Sequence, residues 1–557
     1  GGPGGSTAGA LLRTYDPALR VIILEREVFP RDHVGESQLP PIGAILEEMG
    51  CWDAVEGAGF PIKVGATYRW GRDSELWDFE FVPSFRDEPR PAPYAGQRKL
   101  TAFQVDRARY DQILLQRAAA LGCEVREGTA VAAIERDGDQ VLGLGLRDGG
   151  RIRAREYIDA SGHHGVLRRA MGVEVECPTR LKNIAIWDYW ENAAWAVEIG
   201  VGGTRVQVLS VGFGWIWFIP LGPTRTSIGL ICPVEHYRSA GRSAEALYLE
   251  AIAQDDRVSA LVRGATRRGQ TETTSDWSFL AERSVGANWM LVGESAGFAD
   301  PILAAGLTLT HVSAREAAYS ILEARRGGDR AWLLGHFDLN QRRRIRQHIR
   351  FADFWYAANG LFTELQDHCQ AIAADAGLKL SSAEAWAWLA RGGFTNDAIG
   401  QAGIGGLDLA GMKQVAQRFT KQPARWRVSE SNIYELALDG AAREELPLYR
   451  EGRVQRVVAL TRGEARLALT GMYKVIVDLL ARGPVDAQGL VTTLQRAFAR
   501  QGPQQAALLV QHALQALEVM LSEGWVRGRN DPRRGRISLE TPDEGPRIHA
   551  NRDVLPT

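Results

Sequence analysis

The apolar positions of the chain change period several times, and each change marks an element. Residues Ser6 to Thr14 (STAGALLRT) read as a small-residue helix, and Val21 to Leu24 (VIIL) as a short strand buried on both faces, ended by Glu25. Ala130 to Ile152 has a hairpin-like pattern, and Tyr157 to Asp159 predicts a strand that stops in a tight turn at Ser161-Gly162. From about Asn183 to Pro233, aromatic and small residues alternate: Trp187, Tyr189, Trp190 and Trp195 are followed by the run Val206 to Ile219. That alternation predicts a strongly β region. Met290-Leu291-Val292 predicts another strand, closed by Gly293, and Asp300-Pro301 is a stop before a helix that starts near Gly306.

Beyond about Arg325 the pattern turns helical. Arg342-Arg343-Arg344-Ile345-Arg346 predicts a solvated helix face and Phe351 to Tyr356 an aromatic one. The glycine-rich stretch Ile399 to Gly411 predicts a linker or a lid, and Glu540 to Thr557, rich in proline and charge, a mobile tail. Between them, Arg466 to Arg529 is amphipathic and looks like a small winged-helix-type unit. Packing or partner docking is the favoured role for that unit over DNA binding, because the chain has no basic excess.

Composition narrows the class. The 557 residues suggest two to four structural units. The 66 Lys+Arg nearly cancel the 67 Asp+Glu, which argues against nucleic acid or an acidic membrane as partner. No stretch approaches the ~20 apolar residues of a membrane helix. Five widely spaced cysteines form no C-x-x-C pair, so neither a disulfide framework nor a metal site is expected, and a reducing cytoplasm fits best.

The chain opens with Gly1-Gly2-Pro3-Gly4-Gly5-Ser6. A dinucleotide fold needs a buried strand, a glycine-rich turn, a helix, a second strand and an acid about 20 positions on for the ribose. All but the first strand are present, which predicts that this strand lies upstream of Gly1. Gly2 and Gly5 then serve as second and third glycines, for backbone approach to the pyrophosphate and for helix packing, with Ser6 opening the helix and Glu25, followed by Arg26, at the ribose. Two later stretches decide for FAD: the strand ending at Asp159, and Gly293-Glu294-Ser295-Ala296-Gly297-Phe298-Ala299-Asp300-Pro301, a Gly-acid turn suited to ribityl hydroxyls. In this order the three motifs resemble the flavoprotein monooxygenase superfamily.

Within it, Phe29-Pro30-Arg31-Asp32-His33-Val34-Gly35-Glu36-Ser37 looks like the F-P-R-x-x-V-G-E-S segment of flavin-dependent halogenases. Gln104-Val105-Asp106-Arg107 followed by Tyr110-Asp111 resembles the arginine-bearing helix that lies over their flavin. Trp215-Ile216-Trp217-Phe218-Ile219-Pro220 matches the halogenase signature W-x-W-x-I-P, although an ordinary sheet face would alternate in the same way. Pro61 to Gly71 is similar to the stretch that carries the family's lysine, here Lys63. The resemblance implies an α/β fold: a Rossmann-type FAD-binding domain of monooxygenase type (residues 1–330) with an inserted substrate-side β-sheet (about 60–105 and 183–280). A mainly helical region (331–460), the winged-helix-like unit (461–530) and the tail (540–557) follow.

It also implies a chemistry. Glu36, Ser37, Arg107, Asp159, Gly293, Glu294, Asp300 and Pro301 join the cofactor site. Reduced FAD, oxygen and chloride or bromide form hypohalous acid. Lys63 then handles the halogen, by a hydrogen bond or as a chloramine. The amides of Ala305 and Gly306 hold the halide, and Trp215 and Trp217 form a wall between flavin and substrate. Leu303-Ala304-Ala305-Gly306 stands where tryptophan halogenases carry Glu-Ser-Thr-Gly, so a free tryptophan substrate is disfavoured. Phenols, pyrroles or acyl groups, free or carrier-tethered, fit better. No second nucleotide site is legible, so a separate flavin reductase is the expected partner. A flavin monooxygenase, an isoprenoid-chain reductase and a redox-sensing regulator remain as alternatives.

Overall fold

A computed structural model describes residues 1–70, 76–80, 102–194, 203–275, 277–358, 425–463 and 465–539. Trp195, the Ile399 to Gly411 stretch and the Glu540 to Thr557 tail lie outside them. The chain divides into two units, one holding the described residues up to 358 with Glu451–Arg453, the other the remaining described residues from 425. No described helix is long and apolar enough to cross a membrane.

In the first unit the N-terminal helix spans Pro3–Tyr15, so it starts three residues before the predicted Ser6. Proline at the first helical position favours that start, and Gly2 caps it in an extended conformation. Gly4 and Gly5 therefore lie inside the helix, where each costs about 1 kcal/mol relative to alanine. Close packing accounts for Gly4: a Cβ there would stand 3.2 Å from Thr310 Cγ2 and 3.3 Å from Ala160 Cβ. A Cβ on Gly9 would approach Ile23 Cδ1 to 2.8 Å, whereas one on Gly5 would meet only Ala160 Cβ at 3.7 Å. The close packing expected of Gly5 thus falls to Gly4 and Gly9.

The strand Ile22–Leu24 pairs in parallel with Glu124–Arg126, and Tyr157–Asp159 in parallel with Trp289–Leu291. The helices Pro3–Tyr15, Arg107–Ala120 and Gly306–Arg325 meet at His311, whose Nδ1 lies 2.9 Å from Thr7 Oγ1 and Nε2 2.8 Å from Tyr110 Oη. Burial pushes the His311 pKa down to about 3, so the ring is neutral and bridges both hydroxyls as donor and acceptor. Ala130 to Ile152 forms a three-stranded antiparallel sheet, one strand more than a hairpin.

The predicted β region is the middle of a nine-stranded sheet. Its order runs Thr266–Arg267, Asn183–Glu191, Arg225–Pro233, Gly214–Pro220, Gly203–Val211, Ile62–Arg69 and Trp77–Glu80, with two short strands beside it. Alternation divides its side chains between two faces. Ile184, Ile186, Leu209, Ile216, Phe218, Ile228 and Leu230 share a core with Leu247, Tyr248 and Ile252 of the helix Ala244–Gln254 and with Val258 and Leu261 of Asp256–Val262. Trp187, Tyr189, Trp215, Trp217 and Tyr68 point to the other face by the same register. Gly214–Pro220 is buried along its whole length, so the motif strand has no solvent side.

Beyond Arg325 the elements depart from expectation. Residues 331–460 open with the helix Arg330–Ala358, but Ile433–Leu436, Ala442–Arg450 and Arg453–Arg462 are strands. The last of these carries Val454, Val457, Val458 and Thr461, which suit a strand better than a helix, and it takes Ala442–Arg450 as its neighbour in the sheet. Of the winged-helix-like unit, the helices Gly471–Leu480, Ala487–Phe498 and Pro503–Ser522 are present. Its sheet takes the central strand from Ile433–Leu436, outside the expected 461–530 bounds, flanked by Val485–Asp486 and Val526–Arg529. Tyr434, Leu467, Ile476, Leu490, Leu494, Leu517, Met520 and Trp525 form its core.

One glycine is set by the sheet's inner face. The Trp217 ring lies across Gly229, where a Cβ would come within 2.1 Å of Cζ2. Gly229→Ala must displace that indole, and is expected to cost about 1–3 kcal/mol in urea unfolding with a shift in tryptophan emission.

Candidate functional site

Three groups of residues meet along the inner face of the large sheet and the ends of the parallel strands. The first is built on Asp111, which is wholly buried one turn into Arg107–Ala120. Arg107 grips it with two bonds, Nε to Oδ1 at 2.8 Å and Nη2 to Oδ2 at 3.0 Å, and Arg31 Nη2 lies 3.3 Å from Oδ2. Burial alone would raise the Asp111 pKa; Arg107, then Arg31, outweigh it and hold the carboxyl below its ordinary range. Two guanidiniums on one carboxylate leave a net positive charge beside the N-terminus of the first helix.

That place fits a dinucleotide. A Cβ on Gly2 would stand 3.3 Å from Arg31 Nη2, while Arg31 Nη1 is buried and has no hydrogen-bond partner. A buried donor left over next to a helix N-terminus suits a pyrophosphate. Arg31 belongs to the F-P-R segment, and nothing in its local sequence signals that it lies beside Gly2. Ser6 is buried and its hydroxyl bonds Gly1 O at 2.7 Å. Glu25 sits at the end of its strand beside Gly1, and Arg26 pairs with Glu27 at 3.1 Å.

Glu294 is half-buried, with its pKa raised by desolvation, and a Cβ on Gly162 would lie 3.8 Å from its Oε2. Gly293 has φ +61° and faces Thr310, which leaves no room for a side chain. Asp159 is used differently from a ligand: its oxygens accept from Ser161 N and Oγ (2.9 and 2.6 Å) and from Leu167 N (2.8 Å). It shapes the second flavin loop from within.

The second group surrounds Lys63, which is 2% exposed. Its Nζ donates to Ser37 Oγ at 2.7 Å and Gln38 O at 2.9 Å. A bulge in its strand, between the Lys63–Thr204 and Gly65–Arg205 pairs, sets the side chain locally. Desolvation pushes the lysine pKa down to about 7, so ammonium and amine coexist near neutrality. Segment Val34–Ser37 is fixed from three directions. Arg107 Nη1 donates to Val34 O and Gly35 O (3.0 and 3.2 Å), Val105 N to Glu36 O (2.8 Å), and Tyr189 Oη to Glu36 Oε1 (3.0 Å). Burial raises the Glu36 pKa against those bonds. Tyr189 was a sheet aromatic in the sequence reading; only pairing brings it to Glu36.

The third group is the signature strand. Trp215 Nε1 donates to Tyr356 Oη at 2.8 Å, and that hydroxyl lies 3.2 Å from Asp300 Oδ1. Trp217 Nε1 donates to Ser227 Oγ at 3.0 Å. Trp70, Trp187 and Trp355 extend the aromatic layer. Register separates this layer from Lys63: Lys63 pairs with Thr204, and Trp217 with Val208, four residues or roughly 13 Å along the strand. Asp300, 2% exposed, has its pKa raised by burial to about 7 and caps Pro301–Leu303 through Ile302 N at 2.9 Å. Ala304 follows in the left-handed region (φ +54°), then Ala305 and Gly306 open the helix Gly306–Arg325.

The lysine generates a prediction with a definite sign. Because folding lowers its pKa from 10.5 to about 7, the unfolded chain binds one more proton between those values and stability rises with pH there. The penalty is complete at pH 7 and below. Lys63→Met is therefore expected to gain most over wild type at pH 6–7 in urea unfolding, the gap narrowing by roughly 1.4 kcal/mol per pH unit up to 10.5.

Comparison with known proteins now has a geometry to explain. The family model "Tryptophan halogenase" matches residues 1–90 and 86–361. Tryptophan 2-halogenase of Chondromyces crocatus is 32% identical over 329 residues, 58% of this chain and 59% of that protein. The chain thus spans about three-fifths of that relative's length. The 1H-pyrrole-2-carbonyl-(peptidyl-carrier protein) chlorinase of Pseudomonas fluorescens is 28% identical over 381 residues, 65% of this chain and 83% of the relative. The flavin-dependent halogenase CmlS shares the fold, with a TM-score of 0.70 at 22% identity over 97% of this chain and 96% of its own. The myxobacterial chondrochloren halogenase CndH, an FAD-dependent halogenase, gives 0.57 at 26% identity over 76% and 96%. With more than half its length matched by the family model and a buried lysine, arginine clamp and W-x-W-x-I-P strand in place, the chain belongs to the tryptophan halogenase family of flavin-dependent halogenases.

Proposed function

We propose that the protein is a two-component halogenase that installs chlorine or bromine on an electron-rich carbon of a secondary-metabolite intermediate. The observation that carries this reading is Lys63, a buried amine of pKa about 7 hydrogen-bonded to a segment that Arg107 ties down. Bound FAD, delivered reduced, would supply two electrons to oxygen and the halide two more, giving water and hypohalous acid.

The chain's residues divide the remaining work. Gly2, Gly5, Ser6 and Arg31 would hold the pyrophosphate, Glu25 the ribose, and Glu294 the ribityl chain, with Arg107 and Glu36 beside them. Asp300 and Pro301 set the turn whose Ala305 and Gly306 N–H groups would hold the halide. Trp215 and Trp217, with their indole N–H groups committed to Tyr356 and Ser227, act as a fixed wall that excludes water. Lys63 as ammonium would donate a hydrogen bond to the hypohalous oxygen; as amine it would take the halogen on nitrogen.

Ala304 and Ala305, where the tryptophan-specific branch has Ser and Thr after an acid, favour a phenol, pyrrole or acyl acceptor. A pyrrole on a carrier protein is the named substrate of one relative, and supports including tethered acceptors here. The reading includes a separate flavin reductase as partner.

Lys63→Ala is expected to abolish halogenated product by mass spectrometry, at least 100-fold, with phenol, pyrrole and acyl-carrier acceptors tried in parallel. Oxygen consumption with a reductase should persist. Unchanged product yield would remove the assignment. The purified protein with FAD and NADH alone should oxidise NADH no faster than free FAD does; rapid oxidation would show that it needs no reductase.

A further inference from the structure

The helix Gly306–Arg325 begins with an anomaly. Its N-cap is Ala305, so no side chain caps its first turn, although Ala305 is 2% exposed and water is kept away. The first N–H groups of a helix have no acceptor inside it. Three residues after the cap stands Thr308, 5% exposed, whose Oγ1 has no hydrogen-bond partner. A helical side chain leans back over the preceding turn, so the Thr308 hydroxyl is directed toward Ala304 and Ala305.

The same spacing occurs elsewhere among the described residues with the opposite outcome. In the short turn Gly293–Ser295, the Ser295 hydroxyl sits three residues after Val292 and accepts its N–H at 3.0 Å. Thr308 could close the equivalent bond to Ala305 N–H and does not. The turn is also held open by backbone that resists other arrangements: Ala304 is left-handed, and a Cβ on Gly306 would meet Phe298 Cε2 at 2.8 Å. A buried hydroxyl without a partner thus stands on the first turn of a buried helix end that no side chain caps, a donor set that suits a monatomic anion.

We propose that Thr308 supplies a third donor, through its hydroxyl, to the halide that Ala305 and Gly306 hold, and so sets halide affinity and the preference for chloride over bromide. This rests on the halogenase reading above. Chloride, the smaller and more strongly hydrated ion, depends more on the number of donors that replace its water.

The test uses the full chain loaded with oxidised FAD and titrated with sodium chloride or sodium bromide, read by quenching of flavin fluorescence. Thr308→Val, which keeps the shape and removes the donor, is expected to raise the chloride Kd about tenfold and the bromide Kd less. Thr308→Ser should restore chloride binding to within about threefold, and FAD affinity should not change in either variant. In turnover, the chloride KM should follow the Kd while kcat at saturating halide stays within about twofold. A chloride Kd within twofold of wild type in both Thr308→Val and Thr308→Ala overturns the third donor while leaving the halogenase reading intact. Wild-type protein that binds no halide and makes no halogenated product overturns both.

Discussion

A primary amine kept dry is the constraint on which the site depends. Lys63 is taken from water almost completely, and its charged form is worth so much less inside that its pKa falls toward neutrality. An amine in that state needs acceptors that cannot move, and Ser37 and Gln38 provide them only because segment Val34–Ser37 is tied down. The ties come from one side by the Arg107 guanidinium and from the other by the Tyr189 hydroxyl. Arg107 is itself oriented by Asp111. One set of polar contacts therefore joins the expected cofactor region to the buried amine.

The large sheet makes that economy workable. One face buries aliphatic residues against two helices, and the other carries lysine, tyrosine and tryptophans, because alternation sends successive side chains to opposite sides. The signature strand is a consequence of this arrangement. Trp215 and Trp217 are two residues apart, both face inward, and each N–H finds a fixed acceptor. Indoles so held are suited to shaping a space and unsuited to moving within it. The glycine at 229 is the counterpart of Trp217, since no other residue leaves room for the ring.

Much of this was legible beforehand. The strand Ile22–Leu24, the helix beginning at Gly306 and the β character around Trp187 follow from local period and turn chemistry, which a short window of residues contains. The misses share a cause. The start of the first helix, the sharing of packing between Gly4 and Gly9, and the inward commitment of Asp159 depend on which atoms approach from elsewhere in the chain. Ile433–Leu436 is four residues long and becomes a strand through partners some fifty and ninety positions away.

By itself, then, the sequence determined the kind of molecule: a glycine-led dinucleotide fold, its order of strands and turns, and the lysine and tryptophan motifs that mark a halogenase, since residue type and spacing carry those. Only the tertiary structure decided which of these groups share a space. It put Arg31 beside Gly2, Tyr189 on Glu36 and Tyr356 between Trp215 and Asp300. It also left Thr308 without a partner. Desolvation and hydrogen bonding act over a few ångströms between residues as far as 304 positions apart, and no local pattern of residues encodes such distances.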